Sequence, residues 1–345
     1  ESRGGKVAYA PSFPNPDEPN IEKWAQQSIK EYKFNEKTVL ITHSLGGVLA
    51  LKLLPKLKTK IKKLIMVAPP GSIKLLDGKK LSEEILDNLK KEIENRKLKL
   101  KLAVIQVGEN PVSEIFINQK QRACEKVGID FELFKFPAEI GSLPLKKEIE
   151  KIVGNPVNSG AIIQLPLPAK FSPEEFLNLI PKEKDVDVLS EESLGKFYQS
   201  TLKILPPTVK GILEIFKKYK ISLKGKNIAI VGAGRLVGFP LALQLLKEKA
   251  TVSVLNEFSK DAPSFTKKAD ILISGVGRPN LIKGDMVKKG VVVIDAGSSI
   301  KNDKSVGDVD FKSVAKKASY ITPVPGGVGP MTVACLLENL VKLND

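Results

Sequence analysis

Histidine is almost missing from this chain: His43 is the only one in 345 residues. Cysteine is nearly as scarce, with Cys124 and Cys335 the only two. These three side chains cannot assemble a Cys/His zinc site, and two widely separated cysteines make no disulfide framework. No metal centre is expected. Aromatic residues are 6% of the chain, too few for a surface that stacks nucleic-acid bases. No apolar run approaches the roughly 20 residues that span a bilayer, so no membrane partner is expected. The opening Glu1-Ser-Arg-Gly-Gly5 is not followed by the basic, apolar and small-residue order of a secretory signal. A reducing cytoplasm is the expected setting.

Positive charge, by contrast, is in excess. Lys and Arg number 55 against 39 Asp and Glu, a net charge of +16. The lysines are spread over nearly every segment, which fits solvated helix faces better than a nucleic-acid groove. A field of this sign would also steer an anionic substrate or cofactor.

A chain of 345 residues exceeds one typical core and predicts two or three domains. In the first block, strands Val39–Thr42 and Lys63–Val67 flank a helix that follows His43-Ser-Leu-Gly-Gly47. The second block alternates helices Ser82–Arg96, Ser113–Val127 and Leu145–Ile152 with strands Leu100–Val107, Phe131–Phe136 and Gly160–Gln164. The third carries strands Asn227–Val231, Thr251–Leu255, Ile271–Ser274 and Val291–Ala296, with a helix over Pro240–Glu248. Alternating βα units of this kind specify a parallel sheet covered by helices on both faces.

Two glycine-rich segments sit where a strand meets a helix. Gly232-Ala-Gly-Arg-Leu-Val-Gly238 is a candidate phosphate-binding turn, with Gly232, Gly234, Arg235 and Gly238 as cofactor-binding candidates. The run Thr322-Pro-Val-Pro-Gly-Gly-Val-Gly-Pro-Met-Thr332 follows a strand at Ala318–Ile321 and precedes a helix predicted over Val333–Leu343. Its prolines and glycines predict a stiff loop at the carboxyl edge of a sheet. On the Ser113–Val127 helix, Phe116 and Lys120 stand four apart and share a face.

The Thr322–Thr332 run resembles the signature of the methylenetetrahydrofolate dehydrogenase/cyclohydrolase family. Leu76-Asp-Gly-Lys79, Val107-Gly-Glu-Asn-Pro111, Ile163-Gln-Leu-Pro-Leu-Pro168, Lys184-Asp-Val-Asp187, Gly275-Val-Gly-Arg-Pro279, Asp295-Ala-Gly297 and Gly307-Asp-Val-Asp310 resemble it too. The likeness covers roughly residues 72 to 343. It implies a two-domain α/β folate dehydrogenase/cyclohydrolase architecture with a Rossmann-like NAD(P) domain. Residues 72–204 would bind folate, completed by a C-terminal helix at 331–345, and residues 205–330 would bind the nicotinamide. The implied reactions are oxidation of 5,10-methylenetetrahydrofolate and hydrolysis of the methenyl product to 10-formyltetrahydrofolate. A tetrahydrofolate substrate and a homodimer are implied as well.

The resemblance assigns Lys120 as central acid/base, Gln164 as its hydrogen-bonding partner and Asp187 as the grip on the pterin. A partly desolvated lysine has the pKa such chemistry asks for. Pro323, Gly326 and Gly327 would lie along the interdomain cleft, and Gly275 and Gly277 on the cofactor side. Phe116 stands where tyrosine is usual, which keeps a stacking ring and removes a hydroxyl. Val188 stands where glycine is usual, which bears on the shape of the Asp187 loop. Ala233 replaces a common arginine, and Glu257 ends the next strand where a 2′-phosphate ligand is usual. A carboxylate there favours NAD over NADP, while Arg235 keeps NADP open.

Thr42-His-Ser-Leu-Gly46 has the form of a nucleophile elbow, and residues 7–70 resemble a truncated small serine α/β-hydrolase. That makes Ser44 the nucleophile of an alternative reading, a serine esterase. His43, adjacent to Ser44 in the elbow, is a poor base for it. A basic nucleic-acid-binding protein is the third reading, and neither alternative explains the ordered motifs after residue 72.

Overall fold

A computed structural model describes residues 21–31, 34, 39–43, 54–57, 60, 63–67, 73–301 and 304–345. The chain divides into two compact units, Glu1–Ser72 and Ile73–Asp345. In the first, a helix spans Ile21–Glu31, and strands β1 (Val39–His43) and β2 (Lys63–Val67) pair in parallel, Val39 opposite Lys63 and His43 opposite Val67. Both strands are where the sequence predicts them. Ser44 and most of the helix predicted after it, through Leu57, lie outside the described residues; within that stretch Leu54–Lys56 forms a 3₁₀ turn.

The second unit begins with β3 (Lys74–Leu75), β4 (Lys101–Val107), β5 (Asp130–Phe136) and β6 (Gly160–Ile163). It continues with β7 (Asn227–Val231), β8 (Thr251–Leu255), β9 (Ile271–Ser274) and β10 (Val292–Asp295). A short hairpin, β11 (Ser299–Lys301) and β12 (Lys304–Val306), precedes β13 (Tyr320–Ile321). Two parallel sheets result, one ordered β5-β4-β6 and the other β3-β13-β10-β9-β7-β8. Their central strands are fully buried runs such as Ala103-Val-Ile105 and Ile271-Leu-Ile273. With helices on both faces of a parallel sheet, no strand face is left for polar residues.

The C-terminal helix joins the two sheets' cores. Val333, Leu336, Leu337 and Leu340 pack with β4 and the Pro111–Val127 helix, while Val328, Met331 and Cys335 pack with the six-stranded sheet. It runs Val328–Leu343, so it begins five residues before the predicted Val333. Pro330 does not stop it, because proline in a helix's first turn forfeits only an N–H that has no intrahelical acceptor. Against it lies the helix Pro207–Lys218, so closely that a Cβ on Gly211 would sit 2.9 Å from the Cβ of Met331. Asn339, fully buried, donates from Nδ2 to the carbonyls of Val186 (2.9 Å) and Leu205 (2.8 Å).

Candidate active site

The helix Pro111–Val127 starts where Asn110 accepts the Ser113 N–H, and its inner face carries Ser113, Ile117, Lys120 and Cys124 into the core. Periodicity alone therefore drives a lysine inward. Lys120 is 6% exposed, and its Nζ donates to Gln164 Oε1 at 2.7 Å. Gln164 directly follows β6 and is fixed in turn, since its Nε2 donates to the Leu165 carbonyl at 2.8 Å. This pair lines a cavity of about 330 Å³ together with Phe116, Asp187 and the Pro323–Gly327 loop. Leu236, Val237 and Asp295–Ser298, from the edge of the other sheet, complete the cavity.

Burial dominates the electrostatics. It lowers the Lys120 ammonium below the ordinary lysine range, opposed chiefly by the negative field of Asp187. The Asp187 carboxyl is pushed up to about 6 by burial, against the pull of Lys120 and with a smaller push from Asp185. A lysine and a carboxyl displaced toward each other in one cavity are suited to proton transfer near neutrality.

The Asp187 loop is held from behind. Asp185 is buried and accepts the Leu189 N–H (3.0 Å), the Ser190 N–H (2.8 Å) and the Ser190 hydroxyl (2.7 Å) on Oδ2. Val188 adopts φ +58°, the left-handed backbone that suits glycine, and its side chain is fully buried against Phe197 and Ile204. The loop thus keeps its conformation despite the β-branched residue, which carries the strain.

On the other side of the cavity, the turn after β7 is shaped by close backbone approaches. A Cβ on Gly238 would lie 1.9 Å from the Gly232 carbonyl oxygen, and one on Gly232 2.7 Å from that of Gly275. A Cβ on Gly234 would meet nothing within 4 Å, so the outer face of the turn is open. The helix Gly238–Lys247 that follows has no side chain capping its start. Open space at a helix N-terminus fits the diphosphate of a dinucleotide. Gly277, at φ +77°, lies on the neighbouring loop after β9. Glu257 is exposed just past the end of β8. Arg235 does not stand free: its guanidinium is ion-paired with Glu174, in the short helix Pro173–Leu177 beside the three-stranded sheet. Glu174 Oε2 also accepts the Ser172 hydroxyl at 2.6 Å.

Lys120, Gln164, Asp187, Phe116, Pro323, Gly326 and Gly327 are thus brought to one cavity, while Gly232, Gly234, Arg235, Gly238, Gly275 and Gly277 gather at the adjoining turn and loop. The sequence reading missed Asp185 and Glu174. Two carboxylates within Lys184-Asp-Val-Asp187 are the available signal for the first, one facing the cavity and one needing donors of its own. Nothing local signals Glu174, whose partner is 61 residues away.

Residues 76–187 match the family described as tetrahydrofolate dehydrogenase/cyclohydrolase, catalytic domain, and residues 206–345 its NAD(P)-binding domain. The chain belongs to this family. The bifunctional protein FolD of Nautilia profundicola is 48% identical over 272 residues, 78% of this chain and 96% of the relative. The crystal structure of the Campylobacter jejuni bifunctional FolD enzyme is 41% identical with a TM-score of 0.75, covering 79% of this chain and 98% of that one. A Trypanosoma brucei dehydrogenase–cyclohydrolase, solved with NADP and an inhibitor, is 30% identical with a TM-score of 0.75, covering 79% and 97%. The elbow at Thr42–Gly46 lies outside both matched ranges. Among the described residues, no cluster of three His, Cys, Asp or Glu could hold a metal, and no helix is long and apolar enough to cross a membrane.

Proposed function

We propose that the enzyme oxidises 5,10-methylenetetrahydrofolate to the methenyl cation and hydrolyses that cation to 10-formyltetrahydrofolate in the cavity around Lys120. The single observation that carries this reading is the buried Lys120 amine, hydrogen-bonded to Gln164 in a cavity shared with Asp187 and the Pro323–Gly327 loop. The nicotinamide, when bound, supplies the hydride acceptor. The residues supply the rest. Phe116 offers a ring face to the pterin or aminobenzoyl group, and Asp187 accepts pterin N–H groups. Lys120, its ammonium weakened by burial, takes the proton from the water that adds to the methenyl carbon and returns it as the ring opens. Gln164 holds the amine toward the cavity. Because Phe116 lacks the usual hydroxyl, the hydrolytic step is reduced or retuned relative to a site with tyrosine there.

Gly232, Gly234, Gly238, Gly275 and Gly277 are assigned to the nicotinamide cofactor, and NAD is the preferred form. Two observations support that preference: Glu257 places a carboxylate two residues past the end of β8, and Arg235 is already engaged by Glu174. A homodimer is the proposed assembly. Phe239 and Leu246 on the Gly238–Lys247 helix and Val254 on edge strand β8 are exposed apolar side chains that such an assembly would cover. The test is to mix the purified protein with methylenetetrahydrofolate and either NAD or NADP. Reduced nicotinamide is expected faster with NAD, followed by loss of the methenyl absorbance. No reduction with either would overturn the assignment.

A further inference from the structure

We propose that Asp308 is a positioning residue for the nicotinamide cofactor, acting through the loop Gly275–Pro279. The inference rests on the dehydrogenase reading above. Asp308 is fully buried. Its Oδ2 accepts the Ser274 hydroxyl at 2.8 Å and the Val276 N–H at 2.7 Å, and its Oδ1 accepts the Arg278 N–H at 2.8 Å. Three donors from five consecutive residues converge on one carboxylate, so the loop's course after β9 is set by this side chain.

The carboxylate is itself placed by a second one. The Asp308 N–H donates to Asp295 Oδ1 at 3.1 Å, and Asp295 also accepts the Gly297 N–H (3.0 Å) and the Val309 N–H (2.9 Å). The Asp295 N–H donates to Thr322 Oγ1 at 2.7 Å, at the entrance to the Pro323–Gly327 loop. Asp295 and Asp308 thereby tie together the loops that leave β9, β10 and β13 at one sheet edge. Among the described residues neither carboxylate forms an ion pair, and backbone N–H groups carry the compensation that burial demands. Both are packed without slack. A Cβ on Gly297 would lie 2.2 Å from the Asp308 carboxyl carbon, and one on Gly307 2.0 Å from Asp295 Oδ2.

The loop's position matters because it abuts the phosphate turn. The Gly275 carbonyl would lie 2.7 Å from a Cβ on Gly232, and a Cβ on Gly275 2.9 Å from Val237 Cγ1. A loop released from Asp308 therefore shifts against the turn that faces the cofactor, while Lys120 and Gln164 sit on the other sheet's elements. An asparagine at 308 keeps the size but offers one carbonyl oxygen to donors on two sides, and points an amide at the rest.

The test is calorimetric titration of NAD and of NADP into the parent protein and Asp308→Asn, with cyclohydrolase turnover measured on methenyltetrahydrofolate without nucleotide. The expected result is a Kd raised about tenfold for the preferred nucleotide, with cofactor-free cyclohydrolase turnover lowered by clearly less than that factor. An unchanged Kd in folded Asp308→Asn, or an equal loss of binding and cyclohydrolase turnover, would overturn the proposal. If that variant does not fold, Ser274→Ala decides, since it removes one of the three donors. There a Kd raised about threefold with intact cyclohydrolase supports the role, and an unchanged Kd overturns it. A parent protein that binds neither nucleotide would overturn the dehydrogenase reading itself, and this inference with it.

Discussion

Asp185 and Asp187, two residues apart, face opposite ways and do different work. Asp185 is buried behind the loop and saturated with donors from Leu189 and Ser190, while Asp187 lines the cavity beside Lys120. The first carboxylate fixes the backbone that presents the second.

That arrangement costs stability at neutral pH. The Asp187 carboxyl moves from an ordinary 3.8 to about 6 on folding. A carboxyl whose pKa is raised on folding contributes stability that is complete below the unfolded value and lost as pH rises through the folded one. Asp187→Asn should match the parent in stability near pH 4 and exceed it by about 1–3 kcal/mol at pH 7. Chemical denaturation across that range checks this. The same variant removes the field that raises the Lys120 pKa. Its residual cyclohydrolase activity should then reach half-maximum at lower pH than in the parent.

Val188 supplies a second prediction. Its left-handed backbone costs roughly 1–2 kcal/mol for a residue with a Cβ, and its buried side chain returns about 1.5–3 kcal/mol. Val188→Ala keeps most of the strain and loses most of the burial. Val188→Gly loses the burial and relieves the strain, less the roughly 0.5–1 kcal/mol of glycine's added chain entropy. The two variants should both be destabilised and lie within about 1 kcal/mol of each other. Thermal unfolding in which the glycine variant falls far below the alanine variant would contradict the account.

Glu174 offers a third. The pair with Arg235 is partly exposed, with side chains 48% and 33% accessible, so its strength is modest and screened by salt. Glu174→Gln should free the guanidinium and lower the KM for NADP about two- to fivefold, with little change for NAD. Equal changes for both nucleotides would remove Glu174 from cofactor choice.

The continuous apolar strands were legible because burial on both faces leaves a one-letter pattern; Asn227–Val231, Thr251–Leu255 and Ile271–Ser274 have the bounds the sequence predicts. The start of the C-terminal helix was not, because Gly329-Pro330 signals a break everywhere except in a first turn. Lys120 and Gln164 were legible only through the family resemblance, because the burial of the lysine and its contact with a partner 44 residues on come from the meeting of a helix and a strand end. Glu174 was not legible at all, and Asp308 was legible only as part of the Gly307-Asp-Val-Asp310 motif, without its role. Each acts on a segment brought near it only by the packing of sheet-edge loops, and no local spacing records that.

The central claim is that the Lys120 amine performs the proton transfers of the hydrolytic step. Lys120→Met keeps the side chain's length and removes only its titrating group. Its cyclohydrolase turnover, measured on methenyltetrahydrofolate with folding verified by circular dichroism, should fall by about 10²- to 10⁴-fold. A folded Lys120→Met with parental turnover would contradict the account.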